Sequence, residues 1–240
     1  MLKKFTFVIF IVFTAGFGCI SQNDAKPDKI VTEVKKADFQ SKLFKKGTLV
    51  YSDDFDGEFN RNYWGAPGKN KTIKDGLLIH APKFKTKEEA MKKLKRDHHL
   101  GLGVVAHLNK IPRKYVLHMR FKFVTDEIVP GRPSFQIGHH MISLGFTKEG
   151  GYKLGLPGEK RKWFSEPNAT MKINEWVDLV IEYQEGKIHL NVNGHSRTYK
   201  HEQVTMDNKK DKHGPRFSFK SKDGTEERLI FDYVRIWEAE

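Results

Sequence analysis

Ten consecutive residues, Tyr115 to Val124, alternate almost without a break. Tyr115, Leu117, Met119, Phe121 and Phe123 fall on one side, and Val116, His118, Arg120 and Lys122 fall on the other. A period of two is the period of a strand, and a strand with one apolar face must bury that face against a second layer. The same signal returns at short intervals: Thr48 to Ser52, Leu77 to Ile79, Trp176 to Gln184, Lys187 to Val192, His195 to Lys200 and Leu229 to Trp237. Asp75-Gly76, Glu185-Gly186 and Asn193-Gly194 punctuate it as turns. The one helical pattern is brief, Thr86 to Leu94, with Glu88, Glu89, Ala90 and Met91 among lysines. Many short strands with almost no helix predict an all-β antiparallel sandwich, a single domain from Gly47 to Glu240.

The segment before that domain predicts where the chain goes. Met1-Leu2-Lys3-Lys4 is basic, and Phe5 to Phe13 is almost unbroken apolar sequence, too short to be a membrane span. Residues 1–18 therefore read as a signal peptide. Cys19, the single cysteine, follows Ala15-Gly16-Phe17-Gly18, and small residues before a lone cysteine resemble a bacterial lipoprotein cleavage site. That resemblance implies lipidation at Cys19. Gly16 stands where such signals usually carry Leu, so ordinary cleavage and secretion are the alternative. Residues 19–46 are polar and Lys-rich, as suits a lipidated tether. The expectation is an exported lipoprotein of the outer membrane or periplasm that touches the membrane only through its lipid anchor.

Lys plus Arg number 43 against 30 Asp plus Glu, a net charge of +13. A surplus of that sign calls for an anionic partner. Export argues against nucleic acid, which leaves an acidic oligosaccharide or polysaccharide.

The candidate chemistry concentrates in Ser134 to Gly155. Read as one strand, Gln136, Gly138, His140 and Ile142 share a face, while Phe135, Ile137, His139 and Met141 share the other. After a Lys148-Glu149-Gly150-Gly151 turn, Tyr152 and Lys153 fall beside the histidines, which supplies a base, an acid and a cation. His98 and His99 lead into Leu100 to Ala106, read as a glycine-rich strand. His118, Arg120 and Lys122 form a basic strand face that lines either solvent or a groove. Lys160-Arg161-Lys162-Trp163-Phe164 is a basic-aromatic loop suited to stacking on a sugar. Adjacent histidines on a strand point opposite ways, so no metal site is expected, and no cofactor motif occurs. The acids of Asp53 to Gly57 read as a solvated turn.

Trp64, the Asp75-Gly76 turn with its Leu77-Leu78-Ile79 strand, and the closing run Leu229 to Trp237 resemble concanavalin-like jelly-roll domains of secreted bacterial proteins. The resemblance covers roughly 47–240 and implies a sugar-facing concave sheet. Jelly-roll hydrolases of this kind carry Glu-x-Asp-x-Glu on one strand, and that motif is absent here, which disfavours ordinary glucanase chemistry. Gln136-Ile137-Gly138-His139-His140 and Tyr152-Lys153-Leu154-Gly155 are similar to the Gln-Ile-His and Tyr-Phe-Lys-Ala-Gly strands of jelly-roll polysaccharide lyases. Gly138 shifts the histidine, and the Tyr-Lys strand follows sooner than in that family. Size and charge also resemble oligosaccharide dehydratases that act on ulvan-type glycans. Both resemblances imply β-elimination at a uronic acid, as dehydratase or polysaccharide lyase, with no cofactor. Arg120 and Gln136, helped by Lys153 and His118, would hold the carboxylate. His140, or His139 or His98, would be the base, Tyr152 the acid, and Trp163 a sugar contact. The alternatives are a non-catalytic carbohydrate-binding lipoprotein and an atypical glycoside hydrolase on the same fold.

Overall fold

The structure, a computed structural model, describes residues 40–95, 101–138, 140–206, 216–224 and 226–240. The leader, Cys19, the tether as far as residue 39, His98, His99 and His139 lie outside the described residues. Strands β1 (Lys46–Asp53), β2 (Lys71–Lys74) and β3 (Leu77–His80) open the domain, with helix α1 (Arg61–Trp64) between the first two and α2 (Lys87–Leu94) after the third. Next come β4 (Val105–Leu108), β5 (Tyr115–Val124), β6 (Ser134–Ile137), β7 (Ile142–Phe146), β8 (Tyr152–Leu156) and β9 (Lys162–Glu166). Strands β10 (Val177–Gln184), β11 (Lys187–Val192), β12 (His195–Lys200), β13 (Phe217–Lys220) and β14 (Arg228–Ala239) complete it.

These strands form two antiparallel sheets packed as a jelly-roll sandwich. One runs β12-β11-β10-β5-β14-β3-β2, with β1 also on β14, and the other runs β4-β13-β6-β7-β8-β9. The alternation of β5 decides which face is buried. Leu117, Met119, Phe121 and Phe123 point into the core, where Phe121 meets Phe219 at 5.7 Å and Phe135 at 6.2 Å between ring centroids. Burying each such ring stabilises the sandwich by about 2–3 kcal/mol. The β10–β11–β12 meander follows from local turn chemistry, since Asn193 and Gly194 at φ 48° and 88° make the left-handed pair that a two-residue hairpin turn requires.

α2 forms as its pattern predicts. The Thr86 side chain caps it by accepting from the Glu89 N–H at 3.1 Å, with Glu88 and Glu89 in the first turn and Lys92 and Lys93 in the last.

Two expectations change. The strand expected to run through Gly138 and His140 stops at Ile137, because Gly138 (φ 77°) and His140 (φ 60°) reverse the chain into β7. Pairing of the glycine-rich segment begins only at Val105. Gly103 sits so close to the Lys222–Asp223 loop that an added Cβ would lie 2.8 Å from Asp223 Oδ1 and 2.9 Å from Lys222 O. Docking of the chain starts before β1: Ser41 Oγ and the N–H groups of Lys42 and Leu43 donate to Glu182 at 2.6–2.7 Å. Glu182 lies on the side of β10 that faces away from the six-stranded sheet.

Candidate functional site

Register across the six-stranded sheet builds one polar band. His107 pairs with Ser218, Ser218 with Gln136, Gln136 with Ser143, Ser143 with Gly155, and Gly155 with Trp163. A second row runs beside it through Val105, Lys220, Ser134, Gly145, Lys153 and Ser165. Both rows face outward because their sequence neighbours, among them Ala106, Phe217, Phe219, Phe135, Leu144 and Leu154, are buried in the core. The band thus crosses all the strands of the sheet on one face.

At its β4 end the band opens into a cleft of about 690 Å³. Lys83, Arg132, Arg216 and Lys220 line it with His107 and Ser218, and the one carboxylate among them is Asp223. Arg132 is held there by its Nη1, which donates to Ser221 O at 3.1 Å and to Asp223 Oδ1 at 3.3 Å. Burial lowers the pKa of the Lys220 ammonium, and the like charges of Arg132 and Arg216 lower it further, with Asp223 opposing. The hydroxyls of Ser218 and Ser143 are buried and make no hydrogen bond among the described residues. A buried hydroxyl left so is costly unless something from outside the chain meets it. No three His, Cys, Asp or Glu side chains converge as metal ligands among the described residues.

No protein-family model matches the sequence, and no curated protein matches it. Solved structures do. A Bacillus licheniformis β-glucanase superposes with a TM-score of 0.52 at 11% identity, covering 80% of this chain and 99% of that one. A structure from work on endo-acting O-glycanases that human gut bacteria use to initiate mucin breakdown gives 0.51 at 12% identity, covering 80% of this chain and 100% of that one. The GH43 protein BlXynB of Bacillus licheniformis gives 0.52 at 12% identity over 83% of this chain and 40% of its own. What they share with this chain is the jelly-roll fold.

The residues singled out in the sequence divide between the two faces. Gln136 lies at the middle of the band. Lys153 is on the same face, two strands away in the second row, and Trp163 closes the band on the edge strand. His140 is exposed in the turn that follows β6, at the rim of this face rather than on a strand.

Tyr152 points the other way. A strand alternates, so the residue beside outward Lys153 must turn inward, and the Tyr152 hydroxyl meets Tyr199 Oη at 3.0 Å inside the core. Burial pushes its pKa up to about 12. The Tyr152 ring is therefore not beside His140 as a proton donor.

His118 and Arg120 are on the outer face of the eight-stranded sheet, across the core from Gln136. His118 is buried with its Nε2 at 3.2 Å from both Asp178 oxygens and 2.9 Å from Tyr233 Oη. Arg120 donates to Asp232 at 2.9 Å and stacks on Trp176 at 4.8 Å. Neither can reach a ligand on Gln136. The cations that can are Arg216, Lys220 and Arg132, which the sequence reading missed. Their signal was present: in Arg216-Phe217-Ser218-Phe219-Lys220 the polar residues alternate with buried phenylalanines.

Proposed function

We propose that this protein is a carbohydrate-active enzyme that binds an acidic glycan on the six-stranded sheet and eliminates across C4–C5 of a uronic acid in it. The observation that carries this reading is the cationic cleft at the end of the Gln136 band. Neither row contains a carboxylate, and Asp223 is the single acid lining the cleft among the described residues. Hydrolysis by the usual route needs two carboxyl groups about 5–10 Å apart across the scissile bond. Elimination instead needs the substrate's own carboxylate neutralised, and cations with an amide donor do that.

The roles follow from position. The Gln136 amide and the Arg216 guanidinium hold the uronate carboxylate and stabilise the enolate-like charge that grows on it. His107, in line with Ser218 and Gln136, accepts the C5 proton. The C5–H electrons form the C4–C5 double bond, and the C4 oxygen leaves with a proton from the Lys220 ammonium, which its surroundings make more acidic than a free lysine. His140 at the rim is the competing base. A hydroxyl leaving from C4 makes the enzyme a dehydratase of ulvan-type oligosaccharides; a glycosidic oxygen leaving makes it a polysaccharide lyase.

Incubation with ulvan and alginate oligosaccharides, followed by ultraviolet absorbance and product mass, tests this reading. An unsaturated uronate chromophore is expected. It should be lost in His107→Gln and kept in His140→Gln. Binding without chromophore would make the protein a carbohydrate-binding module instead. The amino-terminal reading belongs to the same proposal: an exported lipoprotein, acylated at Cys19. A clickable palmitate analogue should label the wild type and not Cys19→Ser.

A further inference from the structure

Trp163 is large, apolar and 51% exposed, on an edge strand, at the end of the band farthest from the cleft. Its ring is not loose there. It lies over Gly155 on β8 so closely that a Cβ at that glycine would come within 2.7 Å of Trp163 Cζ3 and 2.8 Å of Cη2. A side chain at position 155 would lift the indole off the sheet. The glycine therefore seats the ring, and the seat fixes its orientation before any ligand arrives. The Arg161 guanidinium is 5.5 Å from the indole, and the ring also borders a groove of about 720 Å³ lined by Glu166, Ser196, Arg197 and Lys200, where Arg197 Nε is 3.3 Å from Glu166 Oε1. An aromatic ring held flat, with a cation such as Arg161 beside it, stacks on the apolar face of a sugar while the cation meets that sugar's acidic group.

We propose that Trp163, seated on Gly155, is a distal stacking subsite, so that the ligand is an extended acidic oligosaccharide lying across the strands from the cleft to β9. This rests on the reading of the six-stranded sheet as a glycan-binding face and adds to it a direction and a length. Five inter-strand steps separate His107 from Trp163 along the paired row. At ~4.8 Å per step that is ~24 Å, and since a pyranose advances a chain by about one such step, about five sugar residues fill it. A disaccharide held by Gln136, Arg216 and Lys220 would not reach the indole; a pentasaccharide would.

The experiment is calorimetric binding of size-fractionated ulvan and alginate oligosaccharides, from disaccharide to hexasaccharide, to the wild type, Trp163→Ala and Trp163→Phe. For the wild type, affinity should climb with chain length up to about the pentasaccharide and then level off. Trp163→Ala should lose about tenfold in affinity for the hexasaccharide and stay within about twofold of wild type for the disaccharide, and Trp163→Phe should recover most of the loss. An equal loss at every length would mean that Trp163 merely supports the sheet, and would overturn the subsite. Affinity independent of length in the wild type would overturn it too, while leaving the glycan-binding reading standing. Absence of binding by any oligosaccharide in either series would overturn both.

Discussion

Each sheet turns one face away from the core, and the two faces treat their charges in opposite ways. On the eight-stranded sheet several charges meet partners. His118 meets Asp178 and Tyr233, Arg120 meets Asp232, Arg235 meets Asp54 at 2.8 Å, and Glu182 accepts from Ser41, Lys42 and Leu43. On the six-stranded sheet Arg132, Arg216 and Lys220 share one cleft with a single lining acid, Asp223, which Arg132 meets at 3.3 Å; the charged form of the lysine is disfavoured there, and the Ser143 and Ser218 hydroxyls make no hydrogen bond among the described residues. Paired charges hold a fold in place. Like charges gathered together oppose it, and under the proposed function an anionic ligand would offset that cost.

The contrast is most exposed to failure at Glu182. This carboxylate is buried and satisfies three donors from the segment that precedes β1. Glu182→Ala leaves the Lys42 and Leu43 N–H groups without that acceptor, while Ser41 keeps Phe44 O, and should cost about 2–3 kcal/mol in chemical denaturation. Glycan binding and turnover should stay at wild-type levels, because the residue is on the other face. Loss of activity at wild-type stability would erase the division between the faces.

Lys220→Met tests the opposite corner. Turnover should fall by about 10²-fold or more if the ammonium is the proton donor, with folding stability unchanged or slightly raised as repulsion from Arg132 and Arg216 is relieved. A pH–rate profile whose alkaline limb disappears in the variant would sharpen the assignment. A variant that is markedly destabilised while retaining specific activity would place Lys220 among the structural charges instead.

Asp178 gives the paired face a pH signature. Burial works to raise its pKa, but hydrogen bonds from His118 and Tyr233, with the charges of His118 and Arg120, hold the carboxyl below its usual value. A depressed folded-state pKa means that the carboxylate stabilises the fold fully above the unfolded value, about 4, and loses that contribution as pH falls through the folded value. Because the Asp178 side chain is 43% exposed and its interactions are screened, Asp178→Asn should lose no more than about 1 kcal/mol at neutral pH and show a shallower decline of stability below about pH 4 than the wild type. Parallel acid titrations of the two proteins would measure the difference.

How much of this was legible in the sequence depended on how local each cause is. The alternation of β5 and the Asn193-Gly194 turn are set by residues close together in the chain, and both elements formed where that pattern put them. The facing of Tyr152 was also readable, since it and Lys153 are adjacent on a strand. It was lost when both were assigned to one site. The reversal at Gly138 and His140 was harder to see, because the flanking residues continue an apolar-rich run. Hardest was the band itself. His107, Gln136 and Ser218 belong to segments far apart in sequence, and only the placement of β13 between β4 and β6 joins them. No local pattern states which strands become neighbours. The basic face of β5 presented the reverse difficulty: its charges were plain, but the partners that neutralise them sit on β10 and β14.

Arg120 gives the smallest expected effect and the clearest discrimination between the faces. In the sequence it is a strand cation suited to hold a carboxylate. In the fold its partner is Asp232, with both side chains about one-third exposed, and its guanidinium rests on Trp176. A pair that open to water is screened, and the long side chain gives up rotamer freedom to keep it. Arg120→Ala should thus cost no more than about 1 kcal/mol, most of it from the lost packing on Trp176. It should leave KM for an acidic oligosaccharide within about twofold of wild type, because the proposed glycan face lies across the core from it. Arg216→Ala, measured beside it, should raise KM and lower kcat together, since that guanidinium is placed to hold the carboxylate both on binding and as charge develops. If the two variants exchanged these behaviours, the glycan face would have to be moved to the eight-stranded sheet, and the cationic cleft would need another explanation.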